Sequence, residues 1–158
     1  MSAKGIAMAE ELHIVQALAA IDINVSAQNS DVFSLANHAH ATIIVGFGVT
    51  GAATTVTLEE CDDFSPTTST AIAFSYYAET TAGGDTLGAR TAATSSGFAS
   101  GTNDGIFFVL EVDASQLTDG YPNLRVALTD PGAATLASVW AILSGPRYAG
   151  DQNATAIA

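Results

Sequence analysis

Apolar side chains recur along this chain at two-residue spacing, in short runs separated by Gly-, Pro- and Asp-containing breaks. That is the period of strands with one buried face. The clearest run is HATIIVGFGV at 40–49, β-branched and aromatic, closed by Thr50-Gly51. AATTVTLE at 53–60 follows closely and sets Thr54, Val56 and Leu58 on one face. The tight connection predicts that these two strands pair as a hairpin. Pro66 then ends sheet pairing, and AIAFSYY at 71–77 aligns Ile72, Phe74 and Tyr76. Three more strands are predicted. They are IFFVLEV at 106–112, LRVALT at 124–129, and ATLASVWAILS at 134–144, which Pro146 terminates. In the second, Leu124, Val126 and Leu128 oppose Arg125, Ala127 and Thr129.

Elsewhere the pattern is weaker. LHIVQAL at 12–18 suits a strand or a short helix; Ile14 and Val15 favour the strand, whereas Glu10 and Glu11 would suit a helix N-terminus. Ile21, Ile23 and Val25 alternate with Asp22 and Asn24 as another half-buried strand would. Residues 79–105, rich in Gly, Thr, Ser and Ala, are long for a structureless connection. They are expected to form a surface excursion with a short extended piece near 87–92. One helical turn is expected at 113–117, and turns at 118–120 and 130–132. The expected organisation is a loose arm at 1–11, one domain at 12–148 and a small-residue tail at 149–158. Seven or eight short strands without long amphipathic helices describe an all-β protein, a β-sandwich or jelly roll.

Composition narrows the function. A chain of 158 residues can bury a core without disulfides or metal. Charged residues are 13 % of it, about half the usual share near 25 %. The net charge is −12, and the only basic side chains are Lys4, Arg90, Arg125 and Arg147. Nucleic-acid binders set Lys and Arg against phosphate, and anionic membrane surfaces attract the same residues. The expectation is therefore no nucleic acid and no membrane, leaving a basic protein as the compatible partner. The single Cys61 cannot form an internal disulfide and reads as a small apolar side chain. No apolar run approaches the ~20 residues of a membrane helix. Glu10 and Glu11 interrupt any signal-peptide core, so the sequons at Asn24 and Asn153 are read as accidental.

Candidate chemistry is sparse. Glu59, Glu60, Asp62 and Asp63 could offer oxygens to Ca²⁺ or act as an acid–base pair, but the ordered spacing of a calcium loop is missing. A solvated strand end is the simpler reading. His38 and His40 would share a strand face and could hold Zn²⁺ with His13 or an acid as third ligand; ordinary polar strand positions are the simpler reading here too. Nucleophile-elbow, P-loop and dinucleotide motifs do not occur. The chain is accordingly expected to be no enzyme and to need no cofactor. Tyr76 and Trp140 fall within strand patterns and are expected in the core. Phe98 and Tyr148 fall outside them. With Arg147 they are the candidate partner-binding residues, since interfaces favour aromatics and Arg.

HATIIVGFGVTGAATTVTLEECDD, AIAFSYYAET, EVDASQL and GYPNLRVALTDPGAATLASVWAILSGPRY, together spanning about 38–148, resemble small structural proteins of tailed bacteriophage virions. The resemblance implies a β-sandwich or jelly-roll virion component, most simply a capsid cement or decoration protein. Such a protein binds the major capsid protein on the capsid exterior, often as a homotrimer, after assembly in the host cytoplasm. A neck or tail component is the alternative within that class. A receptor- or carbohydrate-binding jelly roll is the alternative outside it.

Overall fold

The computed structural model describes residues 5–147 and 156–157. After one helical turn, α1 (Met8–Glu11), the described residues form twelve strands. They are β1 (His13–Asp22), β2 (Gln28–Asn29), β3 (Phe33–Ser34), β4 (His38–Thr50), β5 (Thr55–Cys61), β6 (Ser69–Ile72), β7 (Phe74–Glu79), β8 (Thr91–Ala93), β9 (Phe98–Ala99), β10 (Ile106–Asp113), β11 (Asn123–Leu128) and β12 (Thr135–Pro146). Eight have four residues or more; β2, β3, β8 and β9 are pieces of two or three. Sheet 1 has the order β1-β12-β4-β10-β7-β8. Sheet 2 has the order β2-β11-β5-β6, with β3 added beside β11 and β9 beside β5. All pairings are antiparallel. The two sheets stack as a β-sandwich.

Period-two alternation builds the core. Ala41, Ile43 and Val45 of β4, Phe108 and Leu110 of β10, and Val139, Ala141 and Leu143 of β12 point inward from sheet 1. Val56 and Leu58 of β5 and Leu124, Val126 and Leu128 of β11 meet them from sheet 2. All are 4 % exposed or less. Each such aliphatic or aromatic side chain contributes about 1.5–3 kcal/mol on burial.

The 12–18 run is strand from His13 onward, within β1, the reading that Ile14 and Val15 favour. Several other expectations are corrected. The Ile21–Ile23–Val25 alternation is not a second strand: β1 ends at Asp22, Ile23 is fully buried, and Val25 is 85 % exposed. The two runs expected to form a hairpin lie in different sheets. β4 pairs with β10 and β12, whereas β5 pairs with β11, β6 and β9. Both strands carry a fully apolar inward face, and the faces oppose each other across the core more completely than they could side by side. Residues 51–54 make the crossing. Gly51 donates its N–H to the Ala134 carbonyl, and the Thr54 hydroxyl donates to the Thr129 carbonyl. A Cβ at Gly51 would stand 2.7 Å from the Ala134 oxygen. The AIAFSYY run likewise divides at Ala73 into β6 of sheet 2 and β7 of sheet 1.

The long excursion is held down at two points, β8 on β7 and β9 on β5. The helical turn expected near 113–117 is a short 3₁₀ turn, Ala114–Gln116. It is closed by a capping box between Asp113 and Gln116. Within the expected C-terminal tail, Ala156 accepts a hydrogen bond from Ser34 N–H, and Ile157 bridges Phe33.

Candidate functional site

The two outer faces of the sandwich differ. On sheet 2 the outward positions are Thr55, Thr57 and Glu59 of β5, Arg125 and Ala127 of β11, and Ser69 and Ala71 of β6, as register requires. Arg125 Nε donates to Glu59 Oε2 at 2.7 Å, and its Nη2 donates to Ser69 Oγ at 2.8 Å. This is an ordinary solvated antiparallel face.

On sheet 1 a band of apolar side chains runs among the outward positions, with polar ones such as Gln16, Thr42, Ser75, Glu111 and Ser138 beside it. Register places Gln16, Trp140, Ile44, Val109 and Tyr77 in one row across five strands. The adjoining row begins Ile14, Ile142, Thr42, Glu111, and on the other side Phe107 lies next to Gly46. Trp140 is 40 % exposed and Ile14 45 %, while Ile44, Val109, Tyr77, Ile142 and Phe107 are half-buried by one another. Trp140 is therefore not the core residue its strand pattern predicts. Large apolar side chains stand on both faces of β12, Leu136, Trp140 and Ile142 on one and Val139 and Leu143 on the other, so alternation does not say which side is inside.

One rim of this face carries a charged group. His40 of β4 lies between two acids of β10, with Nε2 2.6 Å from Glu111 Oε2 and Nδ1 2.7 Å from Asp113 Oδ1. Thr42 Oγ1 donates to the same Glu111 oxygen at 2.8 Å. Partial burial lowers the His40 pKa, but the hydrogen bonds to Asp113 and Glu111 and their charges outweigh it, and the net shift is upward. The carboxylates approach opposite ring nitrogens, so the three groups do not converge on one point.

His38 goes elsewhere. It is 6 % exposed, its ring centroid lies 6.0 Å from that of His13, and its Nδ1 is buried without a hydrogen-bond partner. Desolvation first, and the neighbouring His13 second, lower its pKa.

The acidic run 59–63 disperses. Glu59 pairs with Arg125; buried Glu60 accepts the Thr118 N–H at 2.8 Å; Asp62 accepts from the Thr67 hydroxyl and the Thr68 N–H; Asp63 accepts from the Phe64 N–H. The Thr67 hydrogen bond leads the causes that lower the Asp62 pKa. Among the described residues no group of three or more His, Cys, Asp or Glu side chains is placed to hold a metal ion. Cys61 is fully buried, and burial pushes its thiol up to about 11.

Sequence reasoning missed Glu79. Its buried carboxylate accepts the N–H of Thr81 and of Thr86 at 2.8 Å each and so folds 80–88 around itself. The GGD step beside it was the available signal: a Cβ at Gly84 would lie 2.4–2.6 Å from the Glu79 carboxyl group.

The three predicted partner-binding residues separate. Phe98 is not outside the strands: it lies in β9, stacked on Tyr76 with centroids 4.0 Å apart and 4.8 Å from Phe108. Tyr76 packs against the core with it, as expected. Arg147 is exposed at the end of β12 and lines a groove of about 270 Å³ with Leu35, Leu117, Thr118, Asp119 and Pro122. Tyr148 lies outside the described residues. No family model, curated protein or solved structure matches this chain.

Proposed function

We propose that this protein is a structural component of a tailed-bacteriophage virion, a cement or decoration protein that docks on the major capsid protein from the capsid exterior. The observation that carries the docking role is the apolar outer face of sheet 1. Contiguous apolar surface on a rigid scaffold marks a protein contact. The polar face of sheet 2 shows that this chain is not apolar all round. Five strands at about 4.8 Å spacing and some six residues at about 3.4 Å rise give a face of roughly 500 Å², of which the apolar side chains cover about half. A standard interface takes about 800 Å² per partner. One face alone therefore makes a modest contact, and a homo-oligomer presenting several faces, a trimer in the simplest case, gains by avidity. The −12 charge favours a partner with a basic surface. Binding only the assembled shell would stabilise that shell by mass action. The phage assignment itself rests on the sequence resemblance.

Quantitative mass spectrometry of purified particles tests it. Hundreds of copies per particle are expected. Roughly a dozen would move the protein to a neck or tail ring, and absence from particles would sink the structural reading in favour of a receptor- or carbohydrate-binding module. Trp140→Glu should abolish binding to undecorated shells while leaving the far-UV circular dichroism spectrum unchanged.

A further inference from the structure

His13 and His38 belong to β1 and β4, which are separated in sheet 1 by β12. Strands two places apart are about 10 Å apart, yet the two rings come to 6.0 Å between centroids, tilted by 34°. Both side chains therefore lean over β12. The stretch of β12 between their register partners, Leu143 and Pro146, contains Gly145, whose φ is +62°.

His38 is more than nine-tenths buried, and Nδ1 is the only buried side-chain nitrogen or oxygen among the described residues without a hydrogen-bond partner. A buried polar atom without a partner costs about 1–3 kcal/mol. With the proton on Nε2, Nδ1 presents a lone pair. Two imidazoles on one tetrahedral ion, with metal–nitrogen bonds of about 2.0–2.1 Å, place their ring centroids roughly 5–6 Å apart. The pair is thus close to the spacing a shared ion needs. Burial and the neighbouring ring also keep His38 in the neutral form that ligates metals.

The geometry points to His13 and His38 as a two-histidine site for a divalent transition-metal ion of the zinc and nickel class, with water in the remaining positions. Such an ion would clip the start of β1 to the start of β4 at the end of the sandwich where α1 leaves. His40 takes no part, because Glu111 and Asp113 occupy both of its ring nitrogens.

The test is isothermal titration of the full-length, EDTA-treated protein with NiCl₂ and ZnCl₂ at pH 7.5, with MgCl₂ as control. One ion per chain is expected for nickel and zinc, and none for magnesium. His13→Ala and His38→Ala should each weaken nickel binding at least tenfold; His40→Gln should change it less than threefold. In the wild-type protein, ring ¹⁵N shifts of His13 and His38, but not His40, should move on adding ZnCl₂, which provides a readout should a variant fail to fold. Absence of saturable binding, undiminished binding in His38→Ala, or ring shifts confined to His40 would overturn the proposal.

Discussion

Phe98 and Trp140 are two aromatics whose sequence expectations the structure reverses, so truncating each in turn is informative. Phe98 lies 4.0 Å from Tyr76, 4.8 Å from Phe108 and 6.1 Å from Phe74, measured between ring centroids. Truncating a fully buried Phe to Ala costs about 3–5 kcal/mol. Phe98 is only half-buried, which lowers the transfer part. The close ring pairs add about 0.5–1.5 kcal/mol each. The sum is about 3 kcal/mol for Phe98→Ala. For a domain of this size that is a fall in Tm of roughly 6–12 °C. Trp140→Ser, on the outward face, should cost less than Phe98→Ala, about 1–2 kcal/mol, because Trp140 is 40 % exposed. Urea unfolding followed by far-UV circular dichroism measures both without relying on Trp fluorescence. If Phe98→Ala loses less than about 1 kcal/mol while Trp140→Ser loses about 3, the inward and outward assignments are reversed and the docking face disappears with them.

Gly97→Ala should destabilise by several kcal/mol or prevent folding, because φ is +72° and a Cβ would stand 2.1 Å from the Val56 carbonyl oxygen; soluble yield and the urea midpoint report it. His40 has a raised pKa in the folded protein, so its contribution is fully present below the unfolded value near 6.5 and is lost as pH rises through the folded value. In EDTA, the urea midpoint of wild type should therefore fall across that window relative to His40→Gln, and parallel profiles would refute the His40–carboxylate linkage. Cys61, with its thiol near 11 and fully buried, should resist iodoacetamide at pH 8 in native protein and react readily in urea.

Much of the fold is legible in single strands. The alternation of Ile106 to Val112 and of Leu124 to Leu128 sets each inward face, because a strand turns its side chains over every two residues whatever it pairs with. The turn at 113–117 is readable too, since a capping box is a local arrangement. Pairing is not local. Nothing in Thr50–Thr54 distinguishes a hairpin reversal from a crossing between sheets; that is decided by β10, β11 and β12, distant in sequence, competing for the same edges. The same limit applies to the sites. His38 and His40 are two residues apart, yet one meets His13 and the other is held by Glu111 and Asp113. The apolar outer face is the clearest case. Composition sets how many apolar side chains the chain carries and the two-residue period sets which of them share a side. Which side is covered by the second sheet, and which leaves Trp140, Ile44 and Val109 facing out, is fixed only when both sheets pack, because burial is a property of neighbours.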